Sequence, residues 1–211
     1  MKPSAAPQDL ALRCRCGTVQ GAARAITPSA GNHGVCYCDD CQAFAHFLGR
    51  AEDVLDASGG TDIFQMSPAN LVFTAGVERL ACMRLTSKGL LRWYASCCNT
   101  PIGNTLPTGQ IPFISLIRPF IAPPGDASAS VALGPVRARV FERFATGDRT
   151  VIPTGGPRLW RVLLRVLRLM LTWRLRGDHR RSPLFDATTG LPIAAPRVLS
   201  AGERAALPPS T

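Results

Sequence analysis

The sequence predicts a mainly β domain followed by one amphipathic α-helix. Three observations carry that reading. The 211 residues include 19 glycines and 18 prolines, too much turn chemistry for a helical bundle. Hydrophobic residues make up 46% and charged residues 18%, which is the balance of a chain that folds around a core. From residue 10 to about 150 the apolar residues fall in short runs of strand length between turn signals, whereas the longest helix-periodic run begins only at 158. The length suits one sizeable core with an extension, so the expected organisation is a β domain over 10–150 and a basic helix with an irregular tail over 151–211.

The elements follow in order. Residues 1–9 form a loose, proline-containing lead-in. GTVQGAARAI, GTDIFQMSP, NLVFTAGVERLACMRL, LLRWYASCC and IPFISLIRPFI each carry β-branched and aromatic residues at strand length. ERLACMRLTSKGLLRWYAS reads as two strands joined at TSKG, a hairpin with glycine at its turn. QAFAHFLGRAEDVLD reads as a short helix. VIPTGGP punctuates the chain before RLWRVLLRVLRLMLTWRLRG, a helix opened by Gly155, Gly156 and Pro157 and closed by Gly177. Arg158, Arg161, Arg165 and Arg168 share one stripe of that helix, and Leu159, Val162, Leu163, Val166, Leu169, Met170 and Trp173 fill much of the rest. The expectation is an apolar face packed on the β core with the arginines in solvent. Arginines recur too often for a membrane span.

The formal net charge is +10, but segment 157–181 holds eight arginines against one acid, Asp178. The excess is therefore local. No aromatic-interleaved basic surface or helix-turn-helix pattern supports specific nucleic-acid readout. A peripheral membrane or protein contact through 158–176 is the partner class that the helix suggests. The N-terminus has no apolar run of signal-peptide length, which predicts a cytoplasmic protein with reduced thiols. Clustered cysteines there point to metal or chemistry before disulfides.

The eight cysteines group as CRCG (Cys14, Cys16), CYCDDC (Cys36, Cys38, Cys41), a lone Cys82, and CCNTP (Cys97, Cys98). A structural zinc takes four ligands from short clusters on separate turns, and CRCG with CCNTP can supply them. CYCDDC stands apart with three thiolates, the protein share of a zinc site whose fourth position is open. A three-thiolate zinc is a weak Lewis acid but holds an incoming thiol as thiolate, so the residues suggest thiol chemistry. In the alternative, purely structural reading, His33, His46 or Cys82 closes that site. Asp39 and Asp40 are expected to cap the helix that follows, and His46 to pack among Phe44, Phe47 and Leu48. Arg50, Arg84, Lys88 and Arg92 are candidates for substrate carboxylates or plain surface charge; Trp93 and Tyr94 are expected in the core.

CRCG at 14–17, CYCDDC at 36–41 and CNTPI at 98–102 together resemble the glutathione-dependent formaldehyde-activating enzyme family, over roughly residues 10–125. The resemblance implies a zinc-binding β-tent fold with two zinc ions. It makes Cys14, Cys16 and Cys98 structural ligands and Cys36, Cys38 and Cys41 ligands of a catalytic zinc. The implied activity is that of a carbon–sulfur lyase joining glutathione, or a similar thiol, to a small aldehyde. The family's late motif usually carries a further cysteine where this chain has Ala95; Cys97 is the candidate replacement and Cys82 the reserve. The alternative function is a non-catalytic zinc-stapled scaffold that binds a membrane or protein partner through its C-terminal helix.

Overall fold

A computed structural model describes residues 6–121, 127–147, 149–153 and 159–207. It is mainly β, with eleven strands in two sheets among the described residues. The smaller sheet has the order β1-β2-β5, from β1 (Gln8–Arg13), β2 (Gln20–Ile26) and β5 (Leu71–Ala75). The larger sheet has eight strands in the order β10-β3-β4-β9-β8-β7-β6-β11. Its members are β3 (Asn32–Cys36), β4 (Thr61–Met66), β6 (Leu80–Arg84), β7 (Leu91–Ala95), β8 (Thr100–Thr105), β9 (Ile114–Ile117), β10 (Ala138–Val140) and β11 (Arg197–Val198). Its inner pairings are antiparallel, while β10 and β11 join the two edges in parallel.

Strand periodicity divides the side chains of the large sheet between two cores. Phe64, Met66, Leu91, Trp93, Ile114 and Leu116 face the small sheet, against Leu10, Leu12 and Leu71. Ile63, Met83 and Ile117 face the other way, under α1 (Asp39–Phe47) and α2 (Ala51–Val54). Burying such a side chain fully stabilises the fold by about 1.5–3 kcal/mol. The predicted hairpin is β6–β7, with Leu80 opposite Ala95 and Cys82 opposite Trp93. Pro101 is tolerated inside β8 because it lies where the β7–β8 register shifts, between the Trp93–Gly103 and Tyr94–Pro101 pairs.

Two expectations need correction at the ends of the chain. The lead-in is already a strand from Gln8, because Leu10 and Leu12 alternate into the core; residues 1–5 lie outside the described part. The tail after 182 is not irregular throughout. Leu184 and Phe185 enter the first core and Leu199 the second, β11 pairs with β6, and α5 (Ala201–Ala205) starts at a capping box of Ser200 and Glu203.

The largest difference concerns α4 (Leu159–Leu175). The helix forms as its periodicity predicts, and Gly177 (φ 75°) ends it, its N–H donating to the Arg174 carbonyl. Its presentation follows the expected one only in part: Val162 and Trp173 pack inward with Val166, Leu169 and Met170 half-buried, and Arg161 and Arg168 stay in solvent. Only Val162 and Trp173 are buried, while Leu159, Trp160, Leu163, Leu164, Leu167, Leu171 and Leu175 are exposed. Arg165 turns inward instead, donating to the carbonyls of Pro28, Ser29 and Gly31 at 3.4, 3.5 and 2.8 Å. Arg165 Nη2 thus bonds carbonyls of the loop before β3 that leucine could not serve, and Arg137 also donates to the Pro28 carbonyl at 3.3 Å. Beyond the helix, buried Asp178 accepts from Ser67 Oγ at 2.7 Å and pairs with Arg181. Arg158, Gly155, Gly156 and Pro157 lie outside the described residues.

Candidate metal centres

Two cysteine clusters could hold a metal ion, and they are built differently. In the first, Cys14 and Cys16 lie on the turn leaving β1, and Cys97 and Cys98 on the turn between β7 and β8. Gly17 makes the first turn possible with φ 79°, its N–H donating to the Cys14 carbonyl. Val19 N–H donates to Cys14 Sγ at 3.2 Å, and Arg15 N–H to Thr100 Oγ1 at 3.0 Å, so β8 holds the CRCG turn in place. The second turn uses Asn99 at φ 53°, a conformation that asparagine tolerates better than most residues.

These turns bring all four sulfurs within 4.8 Å of one another. Cys14–Cys16 is 3.6 Å, Cys14–Cys97 3.8 Å, Cys16–Cys97 3.3 Å and Cys97–Cys98 3.9 Å. A tetrahedral zinc with bonds of about 2.3 Å would hold its sulfurs about 3.8 Å apart, so the cluster fits such an ion with little adjustment. Cys97 therefore joins the cluster and Cys82 does not. Cys82 points into the first core, where burial pushes its thiol up to about 12.

The second cluster is Cys36 at the end of β3, Cys38 just before α1 and Cys41 in its first turn, with the three sulfurs within the same 4.8 Å. Cys36 and Cys38 are 3.3 Å apart. No fourth His, Cys, Asp or Glu joins them among the described residues. His33 is engaged elsewhere, with Nδ1 2.7 Å from the Gly134 carbonyl and Nε2 2.9 Å from Asp62. His46 sits half-buried in the last turn of α1 and belongs to neither cluster.

The surroundings of the second cluster set its charge. Hydrogen bonds from the Cys36 and Cys38 thiols, together with Arg92, hold Cys41 well below the ordinary thiol range, and the same sharing raises Cys36. Arg92 is 2% exposed, with Nη1 4.0 Å from Cys41 Sγ and 3.3 Å from Asn104 Oδ1, and Nη2 3.4 Å from Asp40. Its guanidinium also lies over the Phe44 ring at 5.5 Å. A buried cation beside three thiols offsets the negative charge that a metal-bound thiolate set would carry. Sequence reasoning had Arg92 only as a surface or substrate charge. A signal was present: Arg92 stands between Leu91 and Trp93 in a strand with both faces covered.

Asp39 and Asp40 do not cap α1 through hydrogen bonds; the N-cap is Cys38, without a side-chain cap. They occupy the first turn, where the helix dipole favours carboxylates. Asp40 instead anchors Arg92 and lies 3.7 Å from Arg204, while Asp39 Oδ1 is buried without a partner. The tail contributes cover that the sequence did not announce: Leu199 packs in the same core as Cys36 and Cys41, and the Arg197 guanidinium lies over Phe47 at 5.6 Å. Tyr94 meets Phe44 and Phe47 edge to face. Of the three thiols only Cys38 is half-exposed, so approach from solvent is from its side.

A cavity of about 800 Å³ opens next to Cys14, not onto the three-cysteine cluster. Arg13, Arg15, Arg50 and Arg118 line it, facing Asp53, Asp56 and Asp62. Much of that charge is internally matched: Arg50 pairs with Asp53 at 2.7 Å, and Asp62 with His33.

The fold and the clusters together define a mainly β protein with two separate cysteine sites able to hold metal. The chain belongs to DUF6151, described as a family of unknown function, whose model it matches over residues 7–195. No curated protein matches it. No helix among the described residues is long and apolar enough to cross a membrane.

Proposed function

We propose that the protein is a two-zinc enzyme of thiol–aldehyde adduct chemistry, with a structural zinc at Cys14, Cys16, Cys97 and Cys98 and a catalytic zinc at Cys36, Cys38 and Cys41. The observation that carries this reading is the inequality of the two clusters. One is complete with four thiols; the other stops at three and has the buried Arg92 guanidinium 4.0 Å from Cys41 Sγ. The motif resemblance to glutathione-dependent formaldehyde-activating enzymes, with its β-tent fold and carbon–sulfur lyase activity, supports the same division.

When bound at the three-cysteine site, zinc supplies an open position that keeps a substrate thiol deprotonated near neutral pH. The rest falls to the chain. Cys36, Cys38 and Cys41 fix that position on one strand end and one helix turn. Arg92 offsets their charge so that a further anionic sulfur is accepted, and Asp40 and Asn104 hold the guanidinium in place. Phe44, Phe47 and Tyr94 form an apolar wall that limits water and suits a small electrophile. In the net reaction the thiol sulfur bonds to the aldehyde carbon, the carbonyl π bond breaks, and the thiol proton ends on the new hydroxyl. The substrates are a glutathione-like thiol and a small aldehyde.

The test is metal content and turnover on the same protein. Two zincs per chain are expected, and adduct formation from glutathione and formaldehyde, followed by NMR, should exceed the uncatalysed rate. Cys41→Ser should lose one zinc and all turnover while the fold persists. An active, fully metallated Cys41→Ser protein would sink the assignment.

A further inference from the structure

The exposed face of α4 is the least conventional surface of the molecule. At about 100° per residue, Trp160, Leu164, Leu167, Leu171 and Leu175 fall within an arc of about 80°. Val162 and Trp173, the residues that hold the helix to the protein, lie on roughly the opposite side. The apolar arc therefore points away from the core, and its members are between 41% and 80% exposed. Scattered apolar residues are ordinary on a surface, but a continuous stripe of this length on one helix is not.

Charge frames the stripe. Arg161 and Arg168 border it on one side and Arg174 on the other, and 159–177 contains no acidic residue. Between the arginines lies a cleft of about 380 Å³ lined by Trp160, Arg161, Arg165, Arg168 and Thr172. The Arg161 guanidinium lies 5.3 Å from the Trp160 ring centre, and Arg165 Nε is buried without a partner. Leucines and a tryptophan on one arc, with guanidinium groups along its border, match the two layers of a bilayer surface: acyl chains inside, phosphates above.

We propose that α4 is a peripheral membrane helix that lies in the surface of an anionic phospholipid bilayer. Trp160, Leu164, Leu167 and Leu171 enter the acyl region, and the cleft edge at Arg161 and Arg168 takes lipid phosphates. A second copy of the chain is a poorer occupant. Two such faces brought together would set arginine borders against each other with no acid on the helix to pair them. The inference does not depend on the proposed chemistry, since no residue of either cysteine cluster takes part.

The experiment is flotation of the full-length, metal-loaded protein with phosphatidylcholine vesicles, with and without phosphatidylserine. Binding is expected only with the anionic lipid and should weaken as salt rises. Leu167→Ala with Leu171→Ala should lower partitioning on the order of tenfold per residue. Arg161→Ala with Arg168→Ala should lower it about fivefold per residue. All four positions are exposed, so thermal unfolding and metal content should stay as in the wild type. Should a variant misfold, the unsubstituted protein still decides: brominated lipid should quench Trp160, a signal lost in Trp160→Phe. Binding that is indifferent to phosphatidylserine, or unchanged by the leucine variants, would overturn the proposal. So would a dimer that those variants dissociate in the absence of vesicle binding, or a soluble acidic protein holding the face while vesicles do not.

Discussion

The two cysteine clusters use similar parts to opposite ends. The four-thiol cluster is close to the surface, with Cys16 and Cys97 exposed, and is held by backbone: tight turns, an N–H to sulfur bond and a strand-end threonine. The three-thiol cluster is sunk in the second core and held by side chains, of which Arg92 is the most committed. A four-thiol set could complete a metal's coordination by itself, so its surroundings need only fix the two turns. An open set must have its charge and solvent access managed by neighbours, and that is where the buried cation and the aromatic wall are found. On the proposed reading, that difference separates a staple from a reaction centre.

The sharpest way to break this contrast is to remove one thiol from each. Cys14→Ser should cost on the order of 5 kcal/mol or prevent folding, because the CRCG turn and the β7–β8 turn would lose their shared metal. Cys41→Ser should cost no more than about 2 kcal/mol, because its core survives. Urea unfolding of both variants beside their zinc content makes the comparison; equal losses would mean that both sites are staples. Arg92→Met comes next. It should lower metal affinity at the three-cysteine site about 10–100-fold and leave the four-thiol site untouched, measured by competition with a chelator. Cys82→Ala should cost about 1–2 kcal/mol of stability with no loss of zinc, since Cys82 belongs to the core.

The smallest effect concerns pH. Asp62 raises His33 against the opposing pull of burial, and the two sit on β3 and β4, the strand pair that delivers Cys36. A raised histidine stabilises the fold fully below its unfolded value of about 6.5, and that contribution fades as pH rises through the folded value. The stability gap between wild type and Asp62→Asn should therefore be widest in mild acid and narrow above neutrality. Metal sites behave in the opposite sense, because acid protonates their thiolates. A gap that widens with pH would mean that the pair is not acting through His33.

Much of this was legible in the chain. The grouping of cysteines foretold both clusters, because ligand spacing within a turn is a local property. The hairpin was legible for the same reason, and it is what carries Cys97 back to Cys14. Arg92 was not, since a strand position shows its burial only when both covering layers are known. The facing of α4 was legible in part: Val162 and Trp173 pack as expected, but periodicity does not say that a second apolar stripe is left in solvent. Beside that stripe, the carbonyls of Pro28, Ser29 and Gly31 draw in Arg165. The cover that the tail gives the second cluster depends on pairing across more than a hundred residues, which no window of sequence contains.

That pairing bears on how the protein is born. β6 is complete once residue 84 has been made, but its parallel neighbour β11 follows more than a hundred residues later. Until residues 197–199 have emerged, the nascent sheet has an open edge and Cys36 and Cys41 lack the Leu199 side of their core. At bacterial or eukaryotic elongation rates of about 5–20 residues per second, that exposed interval lasts several seconds. Premature termination between β9 and β11 would release a chain whose three thiols lack the Leu199 cover, with a sheet edge free to recruit another molecule.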